Sequence, residues 1–246
     1  MTLKDSYRSG LQHIQTSPKF APQEGGGRRP VEFPGYSVIS PPWRDDSEND
    51  KFYENMEASQ RQLLQLLEPG LAVSVPPESF HLTLADLIWE DAFRNACAEN
   101  PNYEQQLRET IAASFQRCES LKGGPPIRWQ ALGIVLRTRA IGIALAPKDE
   151  SAYDRIVKLR RAIYQNPNLM ALGIEQQYHF TAHITLAYFG EIPPNLDRDR
   201  LSITLAEFND KWLDNPQEIV IKRGEIRKFD DMTRYYREPD WPVLKF

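Results

Sequence analysis

The chain has 246 residues, 41% hydrophobic and 26% charged, a balance that excludes collagen-like, fibrous and wholly disordered chains. Two cysteines, Cys97 and Cys118, leave no room for a disulfide framework or a Cys-rich zinc site. A net charge of −4 argues against a chain whose main task is gripping long nucleic acid. It still allows a small anionic substrate in a locally basic cleft, because residues 1–120 hold 11 basic against 18 acidic residues and residues 121–246 hold 19 against 16.

Residues 1–34 read as a disordered or loosely packed extension, and the part before about Pro30 is expected to be dispensable for catalysis. Ser17-Pro18, Ala21-Pro22 and Gly25-Gly26-Gly27 before Arg28-Arg29-Pro30 are breakers, and a short amphipathic turn on Leu3, Tyr7, Leu11 and Ile14 would be marginal alone. The triple glycine lacks the Lys-Ser/Thr of a P-loop and is read as linker. With no apolar h-region in this stretch and no 18-residue apolar run anywhere, the chain is expected to be cytoplasmic and off the membrane.

Order is predicted from Tyr36-Ser37-Val38-Ile39-Ser40, a strand between Pro34-Gly35 and Pro41-Pro42. A helix over about residues 50–67 follows, then a strand from Phe80 to Leu87 and a helical stretch from Trp89 to Cys118 interrupted near Pro101. Ile127 to Leu136 and Ala140 to Leu145 flank Arg137-Thr138-Arg139 as a hairpin or a switch between halves. The second half repeats the plan: a helix opened by Ser151 with Asp154 three residues on, a strand from Tyr178 to Phe189, a helix over about 198–212, and strands near 218–226 and 234–241. Each half reads strand–helix–strand–helix–strand, an internal duplication with lobes at about 35–138 and 139–246.

The two equivalent strands carry matching heptapeptides, His81-Leu82-Thr83-Leu84-Ala85-Asp86-Leu87 and His183-Ile184-Thr185-Leu186-Ala187-Tyr188-Phe189. Four of the seven positions are identical, and only Asp86 against Tyr188 differs outright. With four histidines and nine threonines in the chain, random placement would give about 0.15 His-x-Thr pairs. The chain has three, counting His179-Phe180-Thr181. Side chains alternate along a strand, so His81 shares a face with Thr83, and His183 with Thr185, while the intervening leucines and isoleucine pack into the core. Two imidazoles titrating near neutrality supply a base and an acid, and two hydroxyls can donate to phosphoryl oxygens. These parts suit transfer or hydrolysis at a phosphate ester without a metal. His179 has no counterpart in the first copy, where Pro77 stands four residues before His81. It is read as a supporting or structural residue. On a strand, His179 and His183 lie about 13 Å apart, too far to share one ion. No metal and no cofactor is expected.

Two His-x-Thr motifs about a hundred residues apart, each in an apolar strand of a duplicated α/β chain, resemble the two-histidine (2H) phosphoesterase superfamily, whose relatives include the RNA 2′,5′-ligase-like cyclic phosphodiesterases. The resemblance spans approximately residues 35–240. It implies an α+β fold with two antiparallel-rich sheets facing a central cleft, and opening of a 2′,3′-cyclic nucleotide, an RNA-end cyclic phosphate or a related cyclic phosphodiester. It assigns His81 and His183 as catalytic and Thr83 and Thr185 as phosphate-binding. The motifs are too symmetric to say which histidine is the base. The same four residues would serve an RNA-end processing or ligase-like enzyme, beside a basic track that Arg223, Arg227, Lys228, Arg234 and Arg237 could supply. A non-catalytic nucleotide-binding module is the remaining alternative, disfavoured by the intact residues. Phe189, Tyr36 and Trp129 are either base contacts or core. The partner expected is a small nucleotide or RNA end, with no obligate protein partner.

Overall fold

The computed structural model describes residues 2–214 and 216–246, with the side chains of 211, 213 and 214 excepted. The first elements are α1 (Leu3–Leu11), β1 (Phe20–Pro22), β2 (Arg28–Pro30), β3 (Gly35–Ile39), α2 (Asp50–Leu66), β4 (Ala72–Ser74) and β5 (Thr83–Trp89). Then come α3 (Glu90–Glu99), α4 (Tyr103–Gln116), β6 (Ile127–Arg137), β7 (Ala140–Pro147), α5 (Glu150–Tyr164), α6 (Pro167–Ala171) and β8 (His183–Phe189). The chain ends with α7 (Arg198–Asp214), β9 (Glu218–Ile221), β10 (Arg223–Phe229), β11 (Tyr235–Tyr236) and β12 (Val243–Lys245). No helix among the described residues is long and apolar enough to cross a membrane.

The fold is α+β. Two five-stranded sheets, antiparallel throughout, carry it: β11-β10-β3-β5 with β12 on β10, and β4-β8-β7-β6-β9. Helix α2 lies in the connection from β3 to β5, before β4, and α5 lies in that from β7 to β8, before α6, each burying one stripe on a common core. The expected lobe boundary near residue 138 does not hold. It falls at the tip of the β6–β7 hairpin, whose strands stay paired from Arg137↔Ala140 to Trp129↔Pro147. β4 crosses from the first half onto β8, and β10 crosses from the second half onto β3. The sheets interleave the halves instead of dividing them, because a hairpin closes locally while sheet edges recruit whatever strand lies nearest.

The amino-terminal extension is ordered, against the reading from its breakers; Met1, its first residue, lies outside the described residues. Thr2 and Asp5 form a reciprocal cap on α1. Leu11 is fully buried, the Tyr7 hydroxyl donates to the Ile134 carbonyl at 2.8 Å, and Arg198 Nε donates to the Leu11 carbonyl at 3.1 Å. Packing on β6 and α7 supplies what so short a helix lacks alone. Gly25, Gly26 and Gly27 have φ of 86°, 98° and 77° and make the turn of the β1–β2 hairpin, so their left-handed backbone is a specific shape, which glycine adopts without strain. Two smaller corrections follow. Helix α5 is capped by Asp149, which accepts from the Ala152 amide at 2.8 Å, instead of by Ser151. Residues 178–182 are irregular, and β8 begins at His183.

Candidate active site

The heptapeptides fold alike in detail. Burial along His81-Leu82-Thr83-Leu84-Ala85-Asp86 runs half-buried, buried, half-buried, buried, buried, half-buried, and the sequence from His183 to Tyr188 repeats it. The doubled buried pair marks a β-bulge. Ile39 pairs Thr83 while Val38 pairs Ala85, leaving Leu84 over, and Gly142 pairs Thr185 while Ile141 pairs Ala187, leaving Leu186 over. One extra residue resets the alternation. It returns Asp86 and Tyr188, the position where the two copies differ outright, to the same cleft as the histidines and threonines.

Each bulge frees a backbone carbonyl that must find a donor. Arg160 Nη1, from α5, donates to the Leu84 carbonyl at 2.6 Å. Gln60 Nε2, from α2, donates to the Leu186 carbonyl at 2.7 Å, joined there by the Val75 amide. Each helix therefore clamps the motif of the opposite sheet. Both residues are buried and stand in equivalent settings, Met56-x3-Gln60-x2-Leu63 and Ile156-x3-Arg160-x2-Ile163. Sequence reasoning missed them, although one polar residue inside each apolar stripe was the available signal.

The cleft, about 890 Å³, is lined by His81, Thr83, His183 and Thr185 together. The four residues expected to act together do share one site. His81 Nδ1 lies 2.7 Å from the Ser79 carbonyl, and His183 Nδ1 lies 2.8 Å from the Thr181 carbonyl. A carbonyl only accepts, so each Nδ1 carries the proton and donates it, leaving Nε2 as the free nitrogen. The same backbone clamp, from two residues upstream, fixes both tautomers. Neither threonine hydroxyl has a hydrogen-bond partner among the described residues, so both are available to a ligand.

The electrostatics are less symmetric than the geometry. Burial pushes the His81 imidazole down to about 4, with His183 and Arg227 adding to the depression and the Ser79 carbonyl opposing it. Burial also lowers His183, helped by Arg137 and opposed by the Thr181 carbonyl and the Asp86 carboxylate. Asp86 is itself raised, mainly by burial, against the pull of Arg160. The Tyr235 ring lies 4.2 Å from the His81 ring, centre to centre, and walls that side of the cleft. On the other side stands Lys19, with Nζ 4.5 Å from the Phe33 ring centre and 5.1 Å from that of Tyr188. Lys19, Arg137, Arg139 and Arg160 line the cleft with no ion pair among the described residues, against the carboxylates of Asp86 and Glu90. The cleft is thus net basic, though the chain is acidic. Lys19 belongs to the extension that read as dispensable.

His179 is exposed at the rim of the cleft, outside the strand. Phe189, Tyr36 and Trp129 are at most 2% exposed and do not line the cleft, so their core reading stands. Of the five expected basic-track residues, Lys228 turns away to Glu104, at 2.8 Å, while the other four border a separate cavity. No group of three or more His, Cys, Asp or Glu among the described residues is placed to hold a metal ion.

No family model matches the chain, and no curated protein matches it in sequence. Among solved structures it is similar to ATU0111 from Agrobacterium tumefaciens str. C58, a conserved protein of unknown function. That likeness has 16% identity and a TM-score of 0.63, covering 95% of this chain and 96% of that one. It is also similar to TT0787 of Thermus thermophilus, at 16% identity and a TM-score of 0.45 over 87% of this chain and 95% of that one. For E. coli LigT complexed with 3′-AMP the values are 16%, 0.43, 87% and 95%. The ATU0111 likeness shows a shared fold along nearly the whole of both chains. The resemblance to the 2H phosphoesterases stands on the duplicated motifs set in that fold.

Proposed function

We propose that the protein is a 2H phosphoesterase that opens cyclic phosphodiesters, taking a 2′,3′-cyclic nucleotide or a cyclic-phosphate RNA end, without a metal. One observation carries this reading. Two His-x-Thr pairs, each held by the same bulge and the same carbonyl clamp, present free Nε2 atoms and free hydroxyls to one net basic cleft. Water attacks phosphorus in line with the departing ribose oxygen. A bond forms from phosphorus to the water oxygen, and the bond to the ribose oxygen breaks, giving a phosphate monoester. His81, the imidazole with the stronger depression, is neutral and takes the water proton at Nε2. His183, which the Asp86 carboxylate favours as the cation, protonates the leaving oxygen from Nε2. Thr83 and Thr185 donate to the non-bridging oxygens, where charge grows in the transition state. The unpaired cations draw the anion into the cleft and hold it there.

The test is turnover of 2′,3′-cyclic mononucleotides, ADP-ribose cyclic phosphate and oligonucleotides ending in a cyclic phosphate, with the monoester product identified by phosphorus NMR. Turnover of at least one, unchanged by dialysis against EDTA, is expected. Loss of activity on chelation with recovery on adding a divalent ion would overturn the metal-free mechanism. Binding without turnover of any of the three would leave a phosphate-binding module.

A further inference from the structure

A second cavity, of about 460 Å³, shares Tyr235 with the cleft. Its wall carries five arginines, Arg44, Arg223, Arg227, Arg234 and Arg237, and two carboxylates, Asp45 and Glu225. The carboxylates are already engaged. Buried Glu225 takes Arg223 Nε on one oxygen at 2.7 Å and Arg227 Nε on the other at 2.8 Å, and Asp45 takes Arg227 Nη1 at 2.6 Å. Arg44, Arg234 and Arg237 are left with no carboxylate partner among the described residues. Arg237 Nη2 is fixed by the carbonyls of Pro239 and Trp241, at 3.2 and 2.6 Å, yet its buried Nε has no partner. Arg234 lies 5.0 Å from the centre of the Tyr236 ring.

Three guanidiniums without carboxylate partners border the same cavity as the buried Arg227–Glu225 pair. Solvent screens the exposed Arg44 and Arg234 in part, and a bound anion relieves the like-charge repulsion that remains. The planar forks of arginine match the oxygens of a phosphate. We propose that this cavity is a second phosphate site, separate from the catalytic cleft. Arg227 also donates to the Tyr235 carbonyl at 3.3 Å, and the Tyr235 ring rests against His81, so the two sites share one wall. The phosphate is either a second phosphate on the substrate held in the cleft, an arm that rests on the proposed phosphoesterase reading, or a free phosphate.

Inorganic phosphate is titrated calorimetrically into the full-length protein and into Arg44→Ala/Arg234→Ala, whose two positions are exposed and lie outside the cleft. The wild type is expected to take two phosphates per chain and the variant one. KM is then compared for a cyclic nucleotide with and without an additional 5′-phosphate. A rise of about tenfold or more in the variant, for the 5′-phosphorylated substrate alone, identifies the substrate as the source, as expected when at least one charge-assisted bond of the two arginines is lost. Unchanged KM for both, with the stoichiometry still falling by one, identifies free phosphate. Equal stoichiometry in the two proteins overturns the proposal. Because the titration needs no turnover, a fall in stoichiometry with every substrate inert would sustain the second site while removing the phosphoesterase reading.

Discussion

The β5 and β8 motifs are copies in geometry and unequal in surroundings. Both share the burial pattern, the bulge at the leucine and the Nδ1–carbonyl clamp. They differ in what faces them. His81 stands beside Tyr235 and within the field of Arg227, whereas His183 is influenced by Asp86, Arg137 and Lys19. Symmetric construction places two imidazoles in one cleft. In the proposed reaction, asymmetric neighbours give them different tasks, because acid and base need different protonation states at the same pH.

Removing either imidazole should break the comparison most severely. His81→Ala and His183→Ala are each expected to lower turnover by roughly 10²–10⁴-fold. The double variant should be worse by less than the product, since the pair acts as one unit. Loss in only one of the two would show that the copies are not catalytic partners.

Deleting residues 1–33 strips mainly one side. It removes Lys19 and Phe33 from the cleft beside Tyr188, along with the bond from the Ser17 amide to the Phe189 carbonyl at 2.8 Å. Tyr235 beside His81 keeps its contact with Phe229 and loses only the outer members of its apolar cluster, Phe20 and Phe33. Turnover is expected to fall by at least tenfold, in the range of one lost charge-assisted contact. Leu11→Ala should cost about 2–5 kcal/mol in denaturant unfolding. A truncated protein with full activity would return the extension to a dispensable tail.

Thr83→Ala and Thr185→Ala should cost about 10–10³-fold each in kcat, as loss of one donor to the transition state. Comparable losses at the two positions would support the geometric equivalence. The helix clamps offer a finer comparison, read in stability. Arg160→Met leaves the Leu84 carbonyl without its side-chain donor and should cost about 1–3 kcal/mol. Gln60→Met should cost a similar amount: the Val75 amide still reaches the Leu186 carbonyl, but the buried Val75 carbonyl loses the Gln60 donor it has at 2.9 Å. No loss of stability in either variant in denaturant titrations would contradict the account of the bulges.

The paired motifs, the α2 and α5 helices and the β6–β7 hairpin were legible because each rests on local periodicity. Alternation puts each histidine on one face with its threonine, and the duplicated motif brings both pairs to one cleft. The bulges were not legible, since an extra residue in a strand leaves no periodic trace beyond a doubled apolar pair, here Leu84-Ala85 and Leu186-Ala187. Gln60 and Arg160 act across the molecule, on strands 126 and 76 residues away in sequence, which spacing within one helix cannot reveal. The extension misled because Gly25-Gly26-Gly27 has the composition of a linker and the conformation of a turn. The lobes misled because sequence order was taken for spatial order, while β4 and β10 cross between sheets.

The central claim is that two unequal histidines divide acid and base work, and the pH dependence of kcat/KM for opening a 2′,3′-cyclic nucleotide tests it most directly. Lowered values favour neutral imidazole, so His81 should lose its role as base only on protonation near pH 4, and His183 should lose its acid proton below the ordinary 6.5. The profile should be a bell with its maximum between about pH 4 and 6.5, its limbs belonging to the coupled pair. Asp86→Asn removes the carboxylate that supports the His183 cation and should move the alkaline limb to lower pH while the acid limb stays. A profile without an alkaline limb, or an Asp86→Asn profile shifted to higher pH, would contradict the division of roles.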